Sequence, residues 1–317
     1  MEEKMDIPVL HVTGIGLADT YEKGLIELWQ NGCRMPTAYD KPGDPLSLDC
    51  TMNLTVLKPW SDPMIHKFFI GGIADLREYV YELEGLKDCI CRNENDPKDT
   101  RWEYLYSSRL TNYGTWIEKK TCDLGGNHGV VAKYEDGSIG VRVGPFKVNQ
   151  IEIVIEKLVK DPSTRRAQAI TWMPEMDNKF DDCPCLQSIH FRLTPEGKGF
   201  SLNTNIRFRS NDANRGFPSN AFGFIQFIRN KILLPLQNRL GCEVSYGRIN
   251  WQADSWHIYG SEIKNFEDRF INRLRSSNFE DRVLNFHDPD IQEMYHECEP
   301  TVLQKFEDVK KSFGIVS

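Results

Sequence analysis

The sequence predicts an α+β fold built around one sheet. Three observations lead there. Helical and strand-like runs are mixed along the 317 residues without the regular alternation of a doubly wound protein. Hydrophobic residues make up 40% and aromatic residues 11% of the chain, enough to build a real core and to offset ordering entropy. No internal repeat, low-complexity tract or long Pro/Gly/Ser linker divides the chain, so residues 1–317 are expected to form one domain.

The elements follow in order. Residues 20–31 have apolar positions at helical spacing, and Gly32 is a stop. Thr51–Leu57 alternates like a strand, and Ala74–Leu86 reads as a helix ending near Gly85. Residues 92–100 are a charged loop. Val148–Val159 is amphipathic, with Ile151, Ile155, Leu158 and Val159 on one face, and Asp161-Pro162 stops it. Three strand-like runs follow, Ala167–Trp172, Leu186–Leu193 and Ser201–Phe208. Asn220–Leu240 is a long apolar helix that Pro235 should kink or break. Gly247–Tyr259 is extended, and the last 55 or so residues are polar and helical in flavour.

Composition excludes several function classes. No apolar stretch approaches the roughly 18 residues that span a bilayer. The N-terminus, Met-Glu-Glu-Lys-Met-Asp, lacks the apolar core of a signal peptide, so a cytoplasmic location is expected. The net charge of −7 argues against nucleic-acid binding by bulk charge; an anionic ligand needs a local arginine cluster. Nine scattered cysteines do not suggest a disulfide framework.

Single residues say little. A lone Cys before a strand, such as Cys185, is usually a small buried hydrophobe. Arg165-Arg166 after a Pro turn is an ordinary solvated pair, and His257 alone reads as a core histidine. Their order is informative. The chain carries Asp161-Pro162-Ser163-Thr164-Arg165-Arg166, Trp172-x-Pro174, Pro184-Cys185-Leu186-Gln187, Arg209-Ser210-x-Asp212, Gly216-x-Pro218-x-Asn220 and His257-Ile258-Tyr259. This series resembles the thymidylate synthase family, which includes the pyrimidine-nucleotide hydroxymethylases. The resemblance is close over 147–261 and looser over 73–114. It implies a mixed sheet covered by helices and a homodimer joined sheet to sheet.

It also implies roles. Cys185 resembles the nucleophile that adds to C6 of a pyrimidine, which needs a thiolate; a nearby arginine is expected to lower the thiol pKa. Arg209 resembles the arginine serving both the cysteine and the 5′-phosphate, with Ser210 a further phosphate ligand. Arg165 and Arg166 resemble the pair donated to that phosphate by the second subunit, where guanidinium forks suit phosphate oxygens. Asn220 resembles the asparagine that reads O4 and N3 of the base, which fits uracil. The family's cytosine-specific members carry aspartate there. His257 and Tyr259 resemble the pair on the sugar 3′-hydroxyl, and Asp212 the residue contacting base and folate. Glu82 resembles the glutamate that runs a proton-moving water network, with Glu84 as the fallback. Tyr106 resembles the tyrosine that helps remove the C5 proton, Trp102 the indole walling the folate pocket, and Arg34 the mobile-loop arginine over the phosphate. The implied co-substrate is 5,10-methylenetetrahydrofolate or a modified pterin, with no metal, membrane or nucleic acid required.

The sequence departs from the pattern at Leu186, where the family usually has His, and at His190 and Phe208, where it usually has Gln. The run Asp254-Ser255-Trp256-His257-Ile258-Tyr259 has either one residue inserted or Ser255 substituting for the family's aspartate. The tail ends Ile315-Val316-Ser317, one polar residue past the apolar pair that could exclude water. Water exclusion decides between methyl and hydroxymethyl products. Two other classes compete. A zinc module is prompted by Cys89/Cys91 and Cys183/Cys185, whose spacing is short for zinc. A catalytically silent nucleotide-binding protein is the other.

Overall fold

A computed structural model describes residues 6–91, 101–102, 104–114, 117–120, 130–133, 139–143, 148–178 and 182–315. The expected charged loop 92–100 lies outside them, as do Val316 and Ser317.

The first part holds β1 (Val9–Gly14), α1 (Leu17–Asn31), β2 (Cys33–Met35), β3 (Ser47–Val56), β4 (Ile65–His66), α2 (Ile73–Leu83) and α3 (Tyr106–Thr111). A small sheet of β5 (Ile117–Lys120), β6 (Val130–Lys133) and β7 (Ile139–Val143) follows. Then come α4 (Gln150–Lys160), β8 (Gln168–Ile170), α5 (Pro174–Asp177), β9 (Leu186–Glu196), β10 (Gly199–Phe208) and β11 (Asn211–Asp212). The rest comprises α6 (Gly216–Ile228), α7 (Leu234–Leu240), β12 (Val244–Ile258), α8 (Ile263–Phe266), α9 (Asn272–Leu274), β13 (Val283–Leu284), α10 (Pro289–Glu297) and α11 (Glu299–Ser312).

The main sheet runs β1-β3-β12-β10-β9-β8, with β2 added beside β3 and β11 beside β12. It is mixed: β1/β3 and β10/β12 are parallel, and β3/β12, β10/β9 and β9/β8 are antiparallel. One face is apolar, as strand alternation requires. Met52, Leu54, Ile206, Phe208 and Trp251 are buried there. The other carries Asn203, Asn205, Arg207, Gln252 and Asp254, all exposed or half-buried.

Helix α1 covers the apolar face through Leu17, Tyr21, Leu25 and Leu28, spaced four, four and three apart. Helix α6 is buried on almost every side, including Phe217, Phe222, Phe224 and Phe227. One contiguous apolar cluster joins residues from Leu17 to Tyr295. A smaller one, Tyr81, Val302 and Phe306, seats α11 on α2.

Four sequence expectations need correction. Pro235 does not break the long helix. A π-helical turn at Arg229–Leu233 precedes it, and the widened turn absorbs the missing N–H as the chain continues into α7. The helix also starts at Gly216, four residues before the expected Asn220. Arg34 is not on a loop. The Gly32 N–H closes α1 on the Leu28 carbonyl at 2.8 Å, and the chain passes directly into edge strand β2. The C-terminal region is not wholly helical, since β13 pairs with β4. Strand β1 was missed because its alternation is short and abuts a charged terminus.

Two strands bulge at the same level. Between β9 and β10 the register slips from Arg207/Ser188 to Phe208/Leu186. Between β12 and β3 it slips from Ala253/Met52 to Trp256/Cys50, leaving one extra residue at 254–255. Each bulge turns the following side chains to the opposite face. The candidate residues gather at this level.

Candidate active site

Cys185 stands half-buried just before β9. Its carbonyl accepts the Arg209 backbone N–H at 2.8 Å, tying the cysteine to the end of β10. The Arg209 guanidinium donates to the carbonyls of Pro184 (3.1 Å) and Cys183 (2.6 Å). It therefore braces the loop that presents the thiol. The Arg209 charge lowers the thiol pKa, as expected, but it does not set the net direction. Burial pushes the Cys185 thiol up, and the Arg209 charge only partly opposes it. Ser210, next in sequence, is half-buried, and its hydroxyl has no hydrogen bond among the described residues.

Tyrosines wall this cysteine. Tyr106, the first residue of α3, accepts the Leu186 N–H on its hydroxyl at 3.3 Å. Tyr104 lies 5.8 Å from Tyr106, ring to ring. Both phenols are pushed up by burial, with the Cys185 charge adding to it. Tyr79 on α2 donates to Asn220 Oδ1 on α6. Gly223 makes this approach possible. A Cβ there would lie 2.5 Å from Tyr79 Cδ1. Burial pushes the Tyr79 phenol up, and Tyr106, Glu82, Tyr104 and Cys185 add to that rise. Glu82, one turn beyond Tyr79, is half-buried and ion-paired with Lys87 at 2.8 Å. The fallback, Glu84, instead accepts from Asn230 at 3.1 Å.

The second wall comes from β12. His257 and Tyr259 pack edge to face at 4.7 Å. Burial and the Asp212 carboxylate push the Tyr259 phenol up to about 12, with Cys185 also raising it and Arg209 lowering it. Asp212 sits opposite His257 in the β11/β12 pair. Its Oδ1 accepts the Asn214 and Arg215 N–H groups at 2.9 and 2.8 Å. Its other oxygen has no hydrogen bond among the described residues. Beside it, a cavity of about 310 Å³ is lined by Tyr39, Asp212, Arg215, Tyr259 and Glu262, among others.

Among the described residues, Cys185 is thus tied to Arg209 and, through Leu186, to Tyr106; Asn220 to Tyr79, which shares α2 with Glu82; and Asp212 to His257 and, through its ring, Tyr259. Among the described residues, no hydrogen bond, ion pair or ring contact joins the other four candidates to these. Arg34 donates to the Leu46 carbonyl at 3.3 Å and lies 5.6 Å from the Trp29 ring. Trp102 is 59% exposed, and its backbone N–H donates to the Ile90 carbonyl at 3.2 Å. Arg165 and Arg166 are exposed, and neither guanidinium has a hydrogen-bond or ion-pair partner among the described residues. No group of three or more potential metal ligands occurs among the described residues. Sequence reasoning missed Tyr79, Tyr104 and Asp49, and it noted Ser255 only as a departure from the family pattern. Tyr79 had a signal, since it lies three residues before Glu82 on the same helix face. Asp49 had none, because it joins the group only across the sheet.

The family model described as thymidylate synthase matches residues 97–304. A "Putative thymidylate synthase" of Methanosarcina barkeri is 35% identical over 259 residues, covering 82% of this chain and 93% of the relative. The chain belongs to the thymidylate synthase family. The same-named protein of Methanosarcina acetivorans is 27% identical over 82% of this chain and 93% of its own length. The thymidylate synthase of Bacillus licheniformis is 27% identical over 51% of this chain and 57% of its own length. In this chain a half-buried nucleophile candidate occurs together with Ser255 two residues before His257. The bulge at 254–255 lies in the run where the sequence shows either one inserted residue or Ser255 in place of the family's aspartate. No helix among the described residues is long and apolar enough to cross a membrane.

Proposed function

We propose that this chain transfers a one-carbon unit to C5 of a pyrimidine nucleoside monophosphate, with Cys185 adding to C6. The leading reaction is thymidylate synthesis from dUMP. The second is 5-hydroxymethylation of dUMP, dCMP or CMP. What supports the reading is the tie of Cys185 to Arg209 and, through Leu186, to Tyr106, together with the Tyr79 hydroxyl that orients Asn220.

The residues divide the work. The Cys185 thiolate forms the bond to C6 and makes C5 nucleophilic. Because burial disfavours that thiolate, Arg209 and a bound ligand must offset the cost. Asn220 already accepts from Tyr79 on Oδ1, so its amide N–H₂ is left to donate to O4 of uracil. Tyr106 sits where its hydroxyl can hold the water that takes the C5 proton, and Glu82 moves protons at O4 through further water. His257 and Tyr259 bind the sugar, and Ser210 a phosphate oxygen. The guanidinium groups of Arg165 and Arg166, without a hydrogen-bond or ion-pair partner among the described residues, fit donation to the phosphate of a second copy in a two-fold homodimer. Arg34 closes over that phosphate only by leaving its present bonds.

The folate half fits two features. Trp102 offers an exposed indole face, and Asp212 a free carboxylate oxygen for an N–H donor. Methylenetetrahydrofolate, or a modified pterin, would supply the one-carbon unit and, for a methyl product, the hydride.

The test is product mass. The protein is incubated with methylenetetrahydrofolate and dUMP, dCMP, UMP or CMP separately. A methyl gain on dUMP supports the synthase reading, and a hydroxymethyl gain supports the hydroxymethylase. No gain on any nucleotide refutes both. Mixing Cys185→Ser with Arg166→Ala chains should restore activity in hybrid dimers. Absence of recovery in dimers shown to form would put the arginines in cis.

A further inference from the structure

We propose that Asp49, acting through Ser255, fixes the His257 ring with its proton on Nδ1, so that a bare Nε2 accepts a hydrogen bond from a ligand hydroxyl. That His257 meets a sugar hydroxyl rests on the reading above. The relay behind it is separate and follows from the geometry.

Ser255 Oγ lies 3.0 and 2.9 Å from the two Asp49 carboxylate oxygens and 3.1 Å from His257 Nδ1. A hydroxyl has one proton to give, and a carboxylate can only accept. The Ser255 proton therefore goes to Asp49. Ser255 Oγ then faces Nδ1 with lone pairs, and Nδ1 must carry the ring proton. In a neutral imidazole this leaves Nε2 as an acceptor. His257 is only 5% exposed, and Nε2 is buried without a hydrogen-bond partner among the described residues. Buried polar atoms left alone are uncommon and need a reason. A ligand donor supplies one.

The backbone builds this relay. His257 lies directly opposite Asp49 in the β12/β3 register. Two residues apart on one strand, Ser255 and His257 share a face. The bulge at 254–255 sets that phase: Trp251 and Ala253 are in the core before it, Trp256 and Ile258 after it. Without the extra residue, His257 would fall on the core face. The His257 carbonyl accepts the Ala213 N–H at 2.8 Å, which pins the ring's backbone to β11. Asp49 and Ser255 are positioning residues. They set the polarity of the contact and so the kind of ligand group that can make it: a hydroxyl donor, not an ether, fluorine or phosphate oxygen.

The experiment has two arms. The first reads ring nitrogens by ¹⁵N NMR of histidine-labelled, ligand-free protein at neutral pH, with the His257 signal assigned by its loss in His257→Gln. The second compares Kd for dUMP and its 3′-deoxy and 3′-fluoro analogues. The expected result is a neutral ring protonated on Nδ1 in the parent protein. Both analogues should bind roughly three- to tenfold more weakly than dUMP. Ser255→Ala should lose the tautomer bias and most of that discrimination, and Ser255→Thr should keep both. A proton on Nε2, or on both nitrogens, in the parent protein overturns the proposal without any variant having to fold. An unchanged Nδ1 tautomer in folded Ser255→Ala overturns the relay. A Nδ1 tautomer that responds to these variants, with no pyrimidine nucleotide bound, upholds the relay and refutes the nucleotide reading instead.

Discussion

Replacing Gly223 by alanine should disturb base recognition from inside the core. Gly223 lies in α6 facing α2. A Cβ there would sit 2.5 Å from Tyr79 Cδ1 and 2.9 Å from Leu83 Cδ1. Carbon contacts relax at about 3.5–4.0 Å, so the Tyr79 ring must move by roughly 1 Å. Overpacking of this kind costs about 1–3 kcal/mol. Alanine returns about 1 kcal/mol of helix propensity. The net is a destabilisation of about 0–2 kcal/mol, which urea melts at constant m should resolve. The functional effect is separable. Moving Tyr79 takes its hydroxyl off Asn220 Oδ1. Losing a neutral hydrogen bond costs about 0.5–1.5 kcal/mol, a two- to tenfold rise in Kd for dUMP. Tyr79→Phe, which removes the hydroxyl alone, should reproduce that rise. A Gly223→Ala protein that is about 1 kcal/mol more stable and binds dUMP unchanged would refute the reasoning.

Arg109 and Asp177 form a bidentate pair at 2.7 and 3.2 Å, buried between α3 and α5. Asp177→Ala should cost about 3–5 kcal/mol by stranding the arginine, while an Arg109→Met/Asp177→Leu double variant should recover much of it; a single variant as stable as the parent in thermal melts contradicts this. Because burial pushes the Cys185 thiol up, its alkylation by iodoacetamide should still be rising with pH above the ordinary thiol range, and Arg209→Gln should move that rise higher still. A profile unmoved by Arg209→Gln would remove the arginine's electrostatic role. Glu22, bonded to both His66 and Arg282, has its carboxyl held down from 4.5 to about 2. A carboxylate depressed in the folded state stabilises fully above its unfolded pKa and loses that contribution as pH falls toward its folded one. Stability should therefore fall by an amount on the order of 3 kcal/mol between about pH 4.5 and 2, and Glu22→Gln should flatten that slope.

Much of the fold was legible because its signals are local. The periodic apolar positions of α1 and α4 and the alternation of β9 and β10 each depend only on neighbours in sequence. The π turn before Pro235 was not legible. It depends on the buried surroundings of α6, which hold a helix together where propensity would break it. Residue types gave the candidate cluster only through order along the chain. They could not give the raised Cys185 pKa, because burial is a property of the packed wall of tyrosines. Asp49 and Ser255 stand 206 positions apart and meet only through the β3/β12 register. The bulge that aligns them is a property of that pairing, not of either strand's residue types alone.

The most direct test of the central claim is loss of the C5 hydrogen. Both proposed products require that proton to leave after Cys185 adds at C6, so the readout does not depend on which product forms. Pyrimidine nucleotides deuterated at C5 are incubated with the protein, with and without methylenetetrahydrofolate. The account predicts folate-dependent release of deuterium to water from dUMP or a cytosine counterpart, and none from Cys185→Ser that still binds nucleotide. Release that survives in Cys185→Ser, or no release from any nucleotide that the parent protein binds together with folate, would contradict it.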